Sequence, residues 1–321
     1  MRRGESSLVG GMTGEPTVKR SNVEAPAMVN VQSKGDAERW LQLRLSLLGA
    51  HILVRCRHKS CLDGIALHFS PHITEKNCTP DVTVDCDWEE AGRYLFRTRP
   101  GEKTGVPLDG VKVHHQGNLS ETDWIPLSPP LPPFDLPPFR DRFVGLHAAA
   151  VKSPGGRGAL LIGERGSGKS TLAMKLASER GCEFLTDEVV CIHRRTLIVE
   201  PFAIAVGLKR DPADPGTGKL LVAADKLVPA VARAPAQVSY TIFLSPRAGG
   251  TPPGPPVLER VAPHVVFRNL LAHHLDVGSS MDESLVTLLN MAENTAGAQL
   301  SYQTFEDLLR SDELIMEFIE S

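Results

Sequence analysis

The sequence predicts an α/β protein, and three observations lead to that prediction. An apolar run at residues 159–162 leads into a glycine-rich stretch at 163–170. A helical pattern follows from Ser170 to Glu179, and Gly181 stands where a helix C-cap would end it. Short β-like runs come next, at 182–185, 189–193 and 238–244. A strand, a loop and a helix followed by further strands are typical of an α/β fold.

The overall composition limits the classes of protein to which the chain can belong. Its 321 residues allow one large domain or two ordinary ones, and the formal net charge of −3 gives no electrostatic reason to expect nucleic acid. No apolar run approaches the length of a membrane span, and the N-terminus lacks the apolar core of a secretory signal. Six unevenly placed cysteines do not suggest a disulfide framework. We therefore expect a cytoplasmic protein with neither nucleic acid nor membrane as a partner.

Changes of composition divide the chain into four predicted parts. Residues 1–34 are polar and aperiodic, which predicts a disordered tail. Residues 35–125 predict a small α+β domain, with a helix at 37–48 and strands at 51–56, 65–69, 82–86, 94–98 and 111–115. Residues 126–140 are rich in proline and predict a semi-rigid connector along the surface. Residues 141–321 form the predicted core domain, with helices expected at 261–275, 281–296 and 304–320.

Cysteine and histidine are concentrated in the predicted α+β domain, which raises the question of a zinc site. The candidate ligands are Cys56, His58, Cys61, His68, His72, Cys78 and Cys86. Four residues separate Cys56 from Cys61, but no second pair repeats a tight spacing, as it usually does in structural zinc sites. We therefore favour ordinary buried cysteines and surface histidines in this region.

The glycine-rich stretch fits the Walker A pattern of glycine, four residues, then Gly-Lys-Ser. Glycines allow the backbone N–H groups to point inward, and with the N-terminus of the following helix they form a nest for phosphate. Lys169 would reach the β- and γ-phosphates of a nucleoside triphosphate, and the Ser170 hydroxyl would hold Mg²⁺. The nucleotide-binding residues predicted on this basis are Gly163, Glu164, Arg165, Gly166, Ser167, Gly168, Lys169, Ser170 and Thr171.

A histidine is predicted to stand beside this loop. Residues 144–152 are β-like, and the turn-forming sequence at 153–158 joins them to the strand that precedes the loop. In a simple antiparallel hairpin, His147 would pair near Glu164. The alternative is a histidine whose hydrogen bonds are satisfied on a half-buried strand.

Two adjacent carboxylates, Asp187 and Glu188, interrupt an otherwise hydrophobic stretch soon after the predicted loop helix. Buried carboxylates are costly unless they are paired or bind a metal. A strand that returns from the helix would end close to the loop, so one carboxylate could act as general base while the other holds Mg²⁺. The alternative is an acidic surface turn. Further along the chain, Lys209 and Arg210 could either steady a transferring phosphoryl group or belong to a solvated loop.

His147, the Walker A loop and the Asp187–Glu188 pair, in this order, resemble the catalytic domain of HPr kinase/phosphorylase, and more closely the related kinases of bacterial biosynthetic clusters. The similar segments are 146–150, 163–170 and 185–188, with looser similarity as far as residue 320. The resemblance implies a fold like the nucleotide-binding part of phosphoenolpyruvate carboxykinases, with a mixed sheet. It also implies that ATP and Mg²⁺ are used to phosphorylate a serine hydroxyl. Lys169 and Ser170 would then serve phosphate and metal, Asp187 would be the base, Glu188 would assist the metal, and His147 would support the acceptor site.

The chain departs from this family in two places. It has Asp-Glu where the family usually has Asp-Asp, and it lacks a counterpart of the Glu-Arg-Gly-Leu-Gly signature of true HPr kinases. The resemblance therefore implies a different acceptor: serine on a peptide or protein, or a small hydroxyl compound. A nucleotide-binding regulatory protein that hydrolyses slowly or not at all is a further hypothesis. Family analogy also suggests a homo-oligomer.

Overall fold

The computed structural model describes residues 40–89, 93–98, 102–107, 111–112, 124–125, 131–136, 139–209, 219–247, 254–278 and 280–321. All of them belong to one compact unit, Gln32–Ser321. The tail predicted at 1–34 lies outside the described residues. A five-stranded sheet and a ten-stranded mixed sheet dominate the fold, which is of the mixed α/β class that the sequence predicts.

The smaller sheet has its five strands side by side in chain order, with one helix inserted. Its elements are β1 (Leu41–Leu47), β2 (Ala50–Cys56), α1 (Lys59–His68), β3 (Val82–Glu89), β4 (Arg93–Thr98) and β5 (Glu102–Pro107). Strands β2 and β3 are parallel, and the other neighbouring pairs are antiparallel. A 3₁₀ turn at Ser70–His72 follows α1, and the short strands β6 (Val111–Lys112) and β7 (Trp124–Ile125) pair separately.

The predicted helix at 37–48 is wrong over the described residues, because β1 occupies Leu41–Leu47. Its leucines alternate with polar residues, and this period of two indicates a strand even though leucine alone favours a helix. Leu48 and Gly49 have φ angles of 50° and 77° and connect β1 to β2. Positive φ at both positions is what a type I′ hairpin turn requires.

The predicted strand at 65–69 is also wrong, because α1 runs from Lys59 to His68. Cys61, Leu62 and Ile65 are buried and recur at helical spacing. The β-branched Ile65 suggested a strand because the expected element began at this residue. It therefore left out the earlier buried residues that reveal the helical spacing. The strands expected at 51–56, 82–86 and 94–98 are present, and β6 covers the first two residues of the one expected at 111–115.

The glycine-rich loop follows a strand of the larger sheet. The remaining strands of the chain are β8 (Phe143–Leu146), β9 (Ala148–Lys152), β10 (Arg157–Ile162), β11 (Glu183–Thr186), β12 (Val190–His193), β13 (Ile198–Val199), β14 (Val206–Lys209), β15 (Lys219–Val222), β16 (Ala236–Pro246), β17 (Val257–Arg260), β18 (His274–Leu275) and β19 (Ala296–Tyr302). The spatial order is β11-β9-β10-β16-β13-β12-β8-β18, with β19 pairing with β16 and β17. Strands β14 and β15 form a separate ribbon.

Strand direction brings several strand ends to one edge of this sheet. Strand β10 is parallel to β16, and β9 is antiparallel to both of its neighbours, β10 and β11. The carboxyl ends of β10 and β11 and the amino end of β9 therefore meet at the same edge. In open α/β sheets, ligands bind outside the carboxyl ends of the strands.

Helices cover both faces of the larger sheet. They are α2 (Lys169–Glu179), α3 (Ala224–Leu227), α4 (Pro263–Ala272), α5 (Met281–Asn294), α6 (Phe305–Leu309) and α7 (Asp312–Glu320). Ala149 and Val151 of β9 lie in one hydrophobic cluster with α2 and α7, whereas Ala148 and Ala150 lie in another with α4 and α5. Alternate residues thus face opposite helix layers, which explains why these strands are apolar throughout. None of the helices in the described residues is long and apolar enough to span a membrane.

The C-terminal elements differ in part from those expected. The predicted helix at 304–320 is divided into α6 and α7, and the one predicted at 261–275 ends at Ala272. Thr304 caps α6 reciprocally with Asp307. Strand β19 was not predicted, because its sequence contains no β-branched residue. Its pairing with strands on both sides outweighs that weak local preference.

The two sheets share a hydrophobic cluster. Leu131 and Phe139, from the proline-rich segment, are buried in it among residues of both sheets. The expectation that 126–140 lies along the surface is therefore wrong for these two residues. The N–H of Ala205 also donates to the carbonyl of His68, at 2.9 Å. The domain boundaries at 125 and 140 stay predictions.

Candidate functional site

The glycine-rich loop joins the end of β10 to the start of α2, as expected from the sequence. Gly166 and Gly168 have φ angles of 86° and 82°, which residues with a Cβ rarely adopt. The N–H of Ser167 donates to the carbonyl of Glu164 at 3.1 Å and closes a turn. Gly168 is the N-cap of α2 and provides no side chain for the first N–H groups of the helix. Those groups are therefore available to an anion.

Close packing holds this loop in place. A Cβ on Gly163 would lie 2.8 Å from Ser167 Oγ, and one on Gly168 would overlap Leu308 Cδ2. The hydroxyl of Tyr302 donates to the carbonyl of Ser167 at 2.6 Å. Sequence reasoning missed this support, because Tyr302 lies on the unpredicted strand β19 and no local pattern marks it.

Lys169 holds its ammonium group inside the loop. Its Nζ donates to the carbonyls of Gly163 and Glu164, at 2.7 and 3.1 Å, and the residue is 7% exposed. Burial lowers the pKa of Lys169, and the negative charges of Asp187 and Glu188 oppose that shift. The loop thus places a positive charge close to the two carboxylates.

Asp187 is an unusual carboxylate because it is only 3% exposed. Its Oδ1 has no hydrogen-bond partner among the described residues. Burial raises the pKa of Asp187 to about 6, while a hydrogen bond with the Ser170 hydroxyl opposes the shift. A buried acceptor without a partner, next to a lysine and a serine hydroxyl, is suited to receive a metal ion or a proton.

The backbone between the two carboxylates is strained. Glu188 has a φ of 70°, and the N–H of Val189 donates to the carbonyl of Asp187 at 2.8 Å. This is the pattern of a classic γ-turn, which is rare, and such strain at a non-glycine residue is found mainly at functional sites. The Thr186 hydroxyl donates to the Val189 carbonyl at 2.7 Å and so stabilises the turn. As a result Asp187 is buried, whereas the Glu188 side chain is 56% exposed.

His147 lies between β8 and β9, beside this turn. The antiparallel register of β9 and β10 places it next to the start of the loop, as the hairpin prediction requires. Its Nδ1 is 3.9 Å from Glu188 Oε2, and its backbone N–H donates to the carbonyl of His273 at 2.8 Å. Burial, with the positive charge of Lys169, lowers the pKa of His147, so its imidazole is neutral near pH 7.

The structure therefore brings His147, Lys169, Ser170, Asp187 and Glu188 together, and their chemical roles stay predictions. Within the predicted nucleotide-binding set, Glu164, Arg165 and Gly166 are exposed, and Thr171 is half-buried on α2. Of the predicted cations after the acidic pair, Lys209 ends β14, and Arg210 lies outside the described residues.

No family model matches this chain, and no curated protein matches it. One similar solved structure is that of the Hpr(Ser) kinase/phosphatase from Coxiella burnetii, at 17% sequence identity and a TM-score of 0.32. The match covers 55% of this chain and 95% of that one. These values describe a weak structural neighbour, from which neither family membership nor an activity follows.

Proposed function

We propose that this chain is an ATP-dependent kinase that transfers the γ-phosphoryl group to a hydroxyl, with serine of a peptide or protein in a biosynthetic pathway as the favoured acceptor. The observation that carries the proposal is the buried carboxylate of Asp187. One of its oxygens lacks a partner among the described residues, and it lies beside the lysine and the serine of a Walker A sequence. A protein that only binds nucleotide has no need of a buried base at this point.

Each residue of the site has its own role in the proposed phosphoryl transfer. Above about pH 6 the Asp187 carboxylate is ionised, and it would accept the proton of the acceptor hydroxyl. A bond forms from the acceptor oxygen to the γ-phosphorus, the bond to the β,γ-bridging oxygen breaks, and ADP leaves with that electron pair. Lys169 would balance the negative charge that builds on the phosphoryl oxygens. Neutral His147 would support the acceptor site from beside Glu188.

The donor atoms also suit Mg²⁺, which prefers oxygen ligands. The hydroxyl of Ser170 and the carboxylates of Asp187 and Glu188 would hold it, and Oδ1 of Asp187 is a buried acceptor that needs a partner. When bound, the ion would neutralise negative charge on the β- and γ-phosphates.

Transfer from γ-labelled ATP tests the proposal. The acceptors are a peptide and protein fraction and a small-molecule fraction of a bacterial extract, separated by size. We expect wild-type protein to label a hydroxyl, and Asp187→Asn to lower transfer by ~10²–10⁴ while ATP still binds. Label that stays on ATP, or appears only as free phosphate with every acceptor, would refute the kinase proposal.

The same experiment separates the alternatives. Label confined to the small-molecule fraction would identify a small-molecule hydroxyl kinase. Tight ATP binding without transfer would identify a nucleotide-binding regulatory protein.

A Mg²⁺ titration distinguishes the proposed roles of the two carboxylates. Loss of a metal ligand raises the Mg²⁺ concentration needed for half-maximal transfer, whereas loss of the base lowers kcat even at saturating Mg²⁺. We expect the first effect alone in Glu188→Gln. Asp187→Asn removes the base as well as a ligand, so its kcat should stay low even at saturating Mg²⁺. The opposite pattern would exchange the two roles.

A further inference from the structure

Three cysteine side chains converge on one face of the smaller sheet, whereas the glycine-rich loop follows a strand of the larger sheet. The sulfur atoms of Cys56, Cys61 and Cys86 all lie within 4.8 Å of one another. Those of Cys61 and Cys86 are 3.2 Å apart. All three residues are free cysteines and are 0% exposed. Within the described part of the chain, this is the only such close group of three possible metal ligands.

The fold explains how the three sulfurs meet. Cys56 and Cys86 are register partners in the parallel pair β2–β3, so their side chains lie next to each other on one face of the sheet. The partners before them on that face are apolar: Ile52 with Val82, and Val54 with Val84. Helix α1 begins three residues after Cys56, and its first turn brings Cys61 to the same place. The cluster therefore joins the ends of two strands to a helix.

We propose that Cys56, Cys61 and Cys86 bind a thiophilic metal ion, with Zn²⁺ as the expected ion. Thiolates are soft ligands that favour zinc. A Zn–S distance of about 2.3 Å in tetrahedral geometry separates two sulfurs by about 3.8 Å. The three sulfurs lie within 4.8 Å of one another, and the 3.2 Å between Cys61 and Cys86 would widen by about 0.6 Å around the ion. No described His, Asp or Glu side chain joins the three cysteines in this close group, so the fourth position is left to water.

A metal site accounts for the cluster better than two simpler explanations. A purely apolar core needs no sulfur here, because valine and isoleucine fill the neighbouring rows of the same face. A disulfide between Cys61 and Cys86 would use two of the three sulfurs and leave Cys56 without a role. An ion held by all three would fix α1 to the sheet and contribute directly to folding free energy. The end of α1 is in turn tied to the segment before β14, because the N–H of Ala205 donates to the His68 carbonyl.

Metal content and metal titration of the full chain test this proposal. Protein purified under reducing conditions without chelator should contain one equivalent of zinc. Metal-free protein should gain thermal stability on addition of Zn²⁺ and should show thiolate-to-metal charge-transfer bands with Co²⁺. Replacing a residue that only hydrogen-bonds to a metal ligand lowers metal affinity by about 10- to 100-fold. Cys61→Ser removes a proposed ligand itself and should lower the affinity for zinc at least as much. Cys182→Ser, which changes a fully buried cysteine outside the cluster, is the matched control and should keep the metal.

Three results would overturn the proposal. The first is no bound zinc either as purified or after titration, and the second is equal zinc binding by wild type and Cys61→Ser. The third is a disulfide between Cys61 and Cys86, detected as the loss of two hydrogens, in protein purified with zinc present. If Cys61→Ser does not fold, the Co²⁺ spectrum of the wild type decides the question, because it reports directly whether thiolates bind the ion.

Discussion

Replacing Asp187 by asparagine should stabilise the ligand-free protein at neutral pH while removing its activity. The carboxylate is almost fully buried, and its Oδ1 has no partner among the described residues. Burial raises the pKa of Asp187 from an ordinary value of 3.8 to about 6. Between these two values the folded state binds more protons than the unfolded state, so the free energy of unfolding falls as the pH rises. Above about pH 6 the destabilisation is fully present.

The magnitude follows from the size of this shift. A pKa difference from 3.8 to about 6 corresponds to about 3 kcal/mol of unfavourable free energy for the ionised folded state. A buried asparagine amide needs its own hydrogen bonds, which offsets roughly 1–2 kcal/mol of the gain. We therefore expect the free energy of unfolding of Asp187→Asn to exceed that of wild type by about 1–2 kcal/mol at pH 8. Because the cost of the amide does not vary with pH, the difference between variant and wild type should grow by about 2–3 kcal/mol from pH 4 to pH 8.

Urea unfolding at a series of pH values, without nucleotide and with a chelator of divalent ions, measures this effect. The difference between Asp187→Asn and wild type should grow from about pH 4 to about pH 6 and then stay constant. Glu188→Gln is the control, since its side chain is 56% exposed and its change should shift stability little at any pH. A difference between Asp187→Asn and wild type that does not vary with pH would refute the proposed desolvation of this carboxylate.

Three further predictions concern the loop and its base. Lys169→Ala should lower phosphoryl transfer by ~10²–10³ and weaken ATP binding measured by calorimetry; normal turnover would show that the loop is not the phosphate site. Gly168→Ala should lower the thermal midpoint more than Gly166→Ala, because both need a left-handed backbone but only the former meets Leu308; equal losses would contradict the packing explanation. The pH profile of kcat/KM should fall below about pH 6 as Asp187 gains a proton, and Asp187→Asn should abolish this limb of its residual activity; a limb that persists would assign the titration to another group.

Local sequence patterns were sufficient to predict the elements around the loop. The apolar strand, the glycines and the helix follow one another without a break, and each is specified by neighbouring residues. The turn at 153–158 made the hairpin predictable, and with it the place of His147 beside the loop. The nearness of Asp187 to the loop followed from the short return after α2.

Other features depend on contacts between distant parts of the chain, which no local pattern specifies. Tyr302 reaches the loop only because β19 pairs with β16, and the sequence of β19 has little intrinsic preference for a strand. The strain at Glu188 arises from a γ-turn that the local sequence does not predict. The strand β1 was mistaken for a helix because its leucines were weighed by propensity rather than by their period of two.

The group of three cysteines also depends on contacts between distant parts of the chain. The spacing of Cys56, Cys61 and Cys86 along the chain lacks the two close pairs of a typical zinc motif. Their proximity comes from the parallel register of β2 and β3 and from the position of α1. The structure confirms that the three cysteines are buried, and whether they bind metal stays a prediction. The expectation of surface histidines is wrong for His68 and His72, which are 5% and 9% exposed.

The chemical identity of the labelled product tests the central claim most directly. Wild-type protein and Asp187→Asn would each be incubated with γ-labelled ATP, Mg²⁺ and the acceptor fraction, and the labelled molecule would be analysed by mass spectrometry. The proposed mechanism predicts a phosphate ester on a hydroxyl group with wild type, its near-complete loss with Asp187→Asn, and similar ATP affinity for both proteins. Equal yields of this ester from the two proteins, or label found only as free phosphate, would contradict it.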